Sequence, residues 1–166
     1  MRKITIKDYY AITELQKIYG EEENEYKLKK SLIKHFELEK LSIDETTNMI
    51  DNILKQITSE SDFKLVFEYK GKKYGFIPNL EKITTAEWID IEFYQNSEDN
   101  LHRLMSIFYR PITKGLNFWT KKYEIQEYNG THTDFIDLPI EYYKGLIVFF
   151  YHLKKVLSKD INMSIN

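Results

Sequence analysis

Cysteine is absent from the 166 residues, and glycine and proline are scarce at 6 and 3. Without thiols there is no disulfide framework and no cysteine-ligated metal centre, and a nucleophile would have to be Ser, Thr, Lys or a carboxylate. The glycines at 20, 71, 75, 115, 130 and 145 never fall into a G-x-G-x-x-G or P-loop spacing, which removes the main support for a nucleotide fold. No serine sits in a G-x-S-x-G elbow. Excess charge is missing too: 24 basic against 26 acidic side chains leave a net charge of −2, which provides no long-range field to attract a polyanion. Residues 1–60 carry 10 basic and 12 acidic groups and the remainder 14 of each, so neither part is polarised and nucleic-acid binding is not expected.

Long apolar runs are also lacking. The longest uncharged apolar stretch, Gly145 to Tyr151, falls far short of the roughly 20 residues a spanning helix needs. The amino terminus, Met-Arg-Lys-Ile-Thr-Ile-Lys-Asp, has neither the apolar region nor the cleavage site of a signal peptide, so a cytosolic chain with no membrane role is expected. What is abundant is aromatic: 13 Tyr, 10 Phe and 2 Trp, or 15% of the chain. A chain of this length buries roughly 70% of its unfolded surface, so folding demands no cofactor.

Hydrophobic periodicity predicts a single α+β domain over residues 1–166: a helical part (1–60), a hairpin, helix, strand and long-helix part (61–159), and a frayed or partner-ordered tail (160–166). Thr5 and Asp8 resemble a capping box ahead of a helical face that Gly20 can end. Tyr26, Leu28, Leu32, Ile33 and Phe36 trace a second helix, and Ser42 with Glu45 opens a third. At Asp62 the period changes to two. Phe63, Leu65, Phe67 and Tyr69 share one face, and Lys70-Gly71 offers a hairpin turn before Tyr74, Phe76 and Ile77.

Ile83 to Ile91 reads as a further extended segment, although Trp88, Ile91 and Phe93 fit neither template cleanly. Ser97-Glu98-Asp99 starts a helix that Pro111 stops through Arg110, Lys114 to Trp119 reads as loop, and Lys122 to Tyr128 alternates as a strand before the Asn129-Gly130 turn. Asp137 is the expected cap of a final helix from Pro139 to Lys159, about 31 Å long at 1.5 Å per residue. Its middle, Leu146 to Tyr151, is apolar all round, as in a central core helix or an interface helix.

Catalytic constellations are sparse. His132, Thr133 and Asp134 with Asp137 offer an imidazole and two carboxylates to a metal, but turn and capping chemistry accounts for the same residues, and no metal is expected. His35, His102 and His152 are lone helical histidines. Glu87, Asp90 and Glu92, with His102, form the one acid–base grouping to weigh, in a chain where 26 acids make some such pairing inevitable. No catalytic residue and no cofactor is expected. Most aromatics fall on predicted core faces. Tyr109, Phe118 and Trp119 remain as the candidate partner interface, with core packing and ligand stacking as their other readings.

The segment Ile83-Thr-Thr-Ala-Glu-Trp88-Ile89-Asp90-Ile91, then Asn100-Leu101-His102-Arg103-Leu104-Met105-Ser-Ile107-Phe108-Tyr109-Arg110-Pro111-Ile112, resembles small proteins encoded among the virion genes of tailed phages that infect gut Bacteroidales, including crAss-like phages. Asp137-Leu138-Pro139-Ile140 and Val148-Phe149-Phe150 fit the same pattern, so the resemblance covers roughly residues 63 to 158. It implies a non-enzymatic virion structural protein, an auxiliary component at the portal vertex or head–tail region. Its partners would be capsid, portal or tail proteins, and it would be held in multiple copies on a symmetric assembly. The implied location is the virion, and the host cytoplasm during assembly. The alternatives are an assembly chaperone absent from the mature particle and, more remotely, a small enzyme using acidic residues.

Overall fold

The computed structural model describes residues 2–20, 24–117, 122–130 and 133–164, with side chains in the last helix described as far as Leu153. The chain is α+β, with six α-helices and a four-stranded antiparallel sheet among the described residues. It divides into two compact units, Met1–Ser59 and Glu60–Asn166.

The first unit holds α1 (Ile6–Tyr19), α2 (Glu25–His35) and α3 (Ile43–Thr58). Both expected capping boxes form, so an orphan N–H at the start of α1 and of α3 gains a side-chain acceptor. At α1 the Asp8 N–H donates to Thr5 Oγ1 at 3.1 Å and the Thr5 N–H donates back to Asp8 Oδ2 at 3.1 Å. The other carboxylate oxygen accepts from Arg2 at 2.8 Å and lies 3.2 Å from His35 Nε2, which ties the start of α1 to the end of α2. Burial pushes the Asp8 carboxyl up, but the Thr5 hydrogen bonds, Arg2 and His35 outweigh it and hold the group below its ordinary value. The end of α2 is unusual because Glu37, not glycine, takes the left-handed conformation at φ 57°, while the Leu38 N–H returns to the Ile33 carbonyl at 2.9 Å.

The second unit is built on the sheet β1 (Val66–Tyr69), β2 (Lys72–Phe76), β3 (Tyr109–Asn117) and β4 (Lys122–Ile125), in the spatial order β1-β2-β3-β4. Lys70 and Gly71 both have positive φ, 48° and 74°, as the primed two-residue turn of a hairpin requires, and Val66 pairs with Gly75 while Tyr69 pairs with Lys72. Against the sheet lie α4 (Thr85–Gln95), α5 (Leu101–Phe108) and α6 (Ile140–Ser164).

Three expectations are corrected. The extended segment at Ile83–Ile91 is helix α4. Thr84 and Glu87 form a third capping box, and the β-branched and aromatic residues yield to that start signal. The stretch after Pro111 is strand rather than loop: Pro111 disfavours helical geometry in Arg110, so α5 ends at Phe108 and the chain passes at once into β3, where Pro111 pairs with Tyr74. The long helix apolar on all sides is not found. Side chains are described over residues 140–153 only, and there Leu146 is buried while Ile147, Tyr151 and His152 face outward.

The core of this unit is aromatic. Phe63 stacks on Phe149 with centroids 4.4 Å apart, Phe67 meets Tyr109 at 4.9 Å, and Phe76 meets Phe149 at 5.2 Å. Two tyrosine hydroxyls inside it are satisfied by backbone: Tyr109 donates to the Lys64 carbonyl at 2.6 Å and Tyr123 to the Phe76 carbonyl at 2.6 Å. Gly145 permits a close approach of α6 to the backbone before β1, because a Cβ there would strike the Asp62 carbonyl oxygen.

Candidate functional site

Two features of the second unit stand apart from its core packing, and α4 contributes to both. On its inner side Glu87 is only 2% exposed, and both of its carboxylate oxygens have partners. One oxygen accepts from the Thr84 N–H at 2.6 Å and the Thr84 hydroxyl at 2.8 Å, and the other meets Arg110 Nη2 at 2.8 Å. Arg110, the residue that Pro111 holds extended, thus pins β3 to the first turn of α4. Burial pulls the guanidinium below its ordinary value against the attraction of Glu87, and the buried Arg110 Nε has no hydrogen-bond partner among the described residues. Tyr128 covers the pair, its ring centroid 5.9 Å from the guanidinium carbon and its hydroxyl donating to Asp90. Burial first, and then Asp90, drive the Tyr128 hydroxyl well above its usual pKa. Beside this cluster a small cavity of about 100 Å³ is lined by Ser106, Arg110, Pro111, Gln126, Tyr128 and Thr133 among others.

The acid–base grouping is therefore brought together only in part. Glu87 and Asp90 share the neighbourhood of Tyr128, but the first is taken by Arg110 and Thr84 and the second by the Tyr128 hydroxyl. Glu92 is exposed and His102 half-buried on α5. In the other cluster His132 lies outside the described residues. Asp134 accepts the Ile136 N–H at 3.0 Å as a turn residue, and Asp137, expected as a helix cap, is paired with Lys70 at 3.2 Å. Among the described residues no three His, Asp or Glu groups are placed to hold a metal ion. No helix among them is long and apolar enough to cross a membrane.

Of the three partner-interface residues, Tyr109 is corrected. Tyr109 is 0% exposed, packed among Phe63, Phe67 and Phe76 with its hydroxyl bonded to backbone, so it belongs to the core and reaches no surface. Phe118 and Trp119 lie outside the described residues. Exposed apolar area sits elsewhere. Trp88, Ile89 and Phe93 point outward from α4, with Trp88 54% and Phe93 68% exposed, and Ile147 and Tyr151 do so from α6. Between the two helices a groove of about 600 Å³ is lined by Trp88, Ile91, Leu104, Phe108, Ile147 and Phe150 among others. Its only polar contributors are Gln95 and Tyr143.

The signal for this face was present in the sequence as the misfit at Trp88, Ile91 and Phe93. On a helix Ile91 and Tyr94 turn inward, Trp88 beside Ile91 is half-exposed at the groove, and Ile89 and Phe93 point to solvent, an arrangement no single apolar stripe describes. The Glu87–Arg110 pair had no such signal, since its partners are joined only by the α4-to-β3 crossing. Comparison of the chain with protein-family models, with curated proteins and with solved structures finds no match.

Proposed function

We propose that this chain is a phage virion structural protein that acts by protein–protein contact, an auxiliary component of the portal vertex or head–tail region. Supporting this is the resemblance of residues 63 to 158 to proteins encoded among phage virion genes. The observation that carries it is the apolar face of α4 and α6 around the groove of about 600 Å³. Aromatic side chains left on a helical face, rimmed by charged and polar ones, are the material from which protein interfaces are made. Burial of that face against another protein removes apolar surface from water, and the groove between the helices fixes the register of what enters it. The carboxylates of α4 serve the same end, Glu87 tying the helix to β3 through Arg110 and Asp90 tying it to Tyr128 in the segment after β4.

The experiment is quantitative mass spectrometry of purified particles, in which the chain is expected in stoichiometric copies. Presence in infected cells together with absence from particles would replace this reading by that of an assembly chaperone.

A further inference from the structure

The outer strands of the sheet are β1 and β4, and they differ as docking edges. β4 meets β3 in a register that shifts between Ile112 and Lys114 and again between Lys114 and Asn117, and such irregularity turns an edge away from further pairing. β1 is regular. Tyr69 and Lys72 close the two-residue turn and the Phe76 N–H donates to the Leu65 carbonyl at 2.9 Å, so residues 65, 67 and 69 direct their backbone groups to β2. The N–H and C=O groups of Val66 and Glu68 therefore point off the edge, and among the described residues no hydrogen bond is made to them. Exposure alternates along this segment: Asp62, Lys64, Glu68 and Lys70 are exposed, Val66 at their centre is half-buried, and Phe67 and Tyr69 are buried. Outward from Val66 the charges are opposite in sign, Lys64 against Glu68 and Asp62 against Lys70.

We propose that β1 pairs antiparallel with β1 of a second copy about a two-fold axis at Val66, joining the two four-stranded sheets into one. Such pairing is a property of the isolated chain and does not depend on the virion reading. Val66 then exchanges both backbone hydrogen bonds with Val66 of the partner subunit, and Lys64 lies opposite Glu68 of the partner subunit on each side of the axis. Lys64 contributes its side chain alone, since its carbonyl already takes the Tyr109 hydroxyl at 2.6 Å. Lys70 meets Asp137 at 3.2 Å, so the match rests on Lys64 and Glu68, whose side chains have no hydrogen bond or ion pair among the described residues. Edge charges ordinarily keep strands apart, but here each has its opposite across the axis. Other registers fail. A slip of two residues sets Lys64 against Lys70 in one direction and Asp62 against Glu68 in the other, and a slip of four sets Glu68 or Lys64 against itself. Like charges directly opposite are destabilising, and a slip of one sends the buried face outward.

Sedimentation equilibrium of the full chain up to about 300 μM tests this. The wild type is expected to reach a species of twice the chain mass. Glu68→Lys and Lys64→Glu each place like charges across the axis twice and weaken it at least about tenfold. An equimolar mixture of the two variants restores a heterodimer, an outcome that loss of folding cannot imitate. Val66→Pro removes an N–H that the hairpin does not use, so it abolishes the dimer while the urea midpoint of the monomer stays close to that of the wild type. A wild-type chain monomeric throughout, a dimer indifferent to the Lys64 and Glu68 changes, or a mass that grows past two copies overturns the proposal.

Discussion

Arg110 stands between two opposing costs. It is charged and nearly buried, and its one anionic partner, Glu87, is buried further still. Removing one member of such a pair strands the other charge away from water, which costs about 3–5 kcal/mol, whereas neutralising both together costs much less. Arg110→Met is therefore expected to lower stability by about that amount in urea unfolding, and Arg110→Met with Glu87→Gln to recover a large part of it. Asp8 gives a different handle. Its carboxyl is held below its ordinary value when folded, so its contribution is complete above the unfolded-state pKa and is lost as pH falls through the folded one. The urea midpoint of the wild type should thus decline below about pH 4 more steeply than that of Asp8→Asn. Equal slopes would mean that the Thr5, Arg2 and His35 contacts do not favour the charged form. Neither pair was legible in the sequence. The Thr5 and Asp8 spacing announced a cap, but Arg2, His35 and Arg110 reach their partners only through the folded geometry.

The helix ends were largely written locally, because a cap is a spacing of three residues. Ser42 with Glu45 and Thr5 with Asp8 were read as starts and form as capping boxes. Thr84 with Glu87 carries the same signature, but the β-branched and aromatic residues around it favour an extended segment, and the structure has α4 there. The turn at Lys70-Gly71 was legible through Gly71, which takes positive φ at no steric cost, while Lys70 takes it as a non-glycine at φ 48°. The strand after Pro111 was not, since its pairing with β2 is a tertiary choice that proline allows and does not dictate. The close of α2 offers a test of the local account. Glu37 pays the left-handed penalty that glycine avoids, so Glu37→Gly is expected to raise stability by about 0.5–1 kcal/mol in thermal or urea unfolding. A loss of stability would show that the Glu37 side chain makes a contribution larger than its backbone strain.

For the whole molecule, the change of period at Asp62 lies close to the division between the units at Ser59 and Glu60, because a run of helical faces ends there and sheet pairing begins. The aromatic abundance divides differently from the expectation. Tyr109 closes the core behind Phe63, Phe67 and Phe76, and the aromatics that reach solvent include Trp88 and Phe93 on α4 and Tyr151 on α6. Counting aromatics from the sequence shows a surplus, but which ones are left outside depends on how α4 turns on α5 and β3. That rotation is fixed in part by the Glu87–Arg110 pair, so the buried ion pair and the exposed contact face are two sides of one helix. In the function proposed above, this face makes the contact with the rest of the particle. Quantitative mass spectrometry of particles assembled with the wild-type chain or with Phe93→Glu tests it most directly. Stoichiometric copies of the wild type and a marked loss of the variant are predicted, whereas a wild-type chain missing from particles, or a folded variant incorporated at the wild-type level, would contradict it.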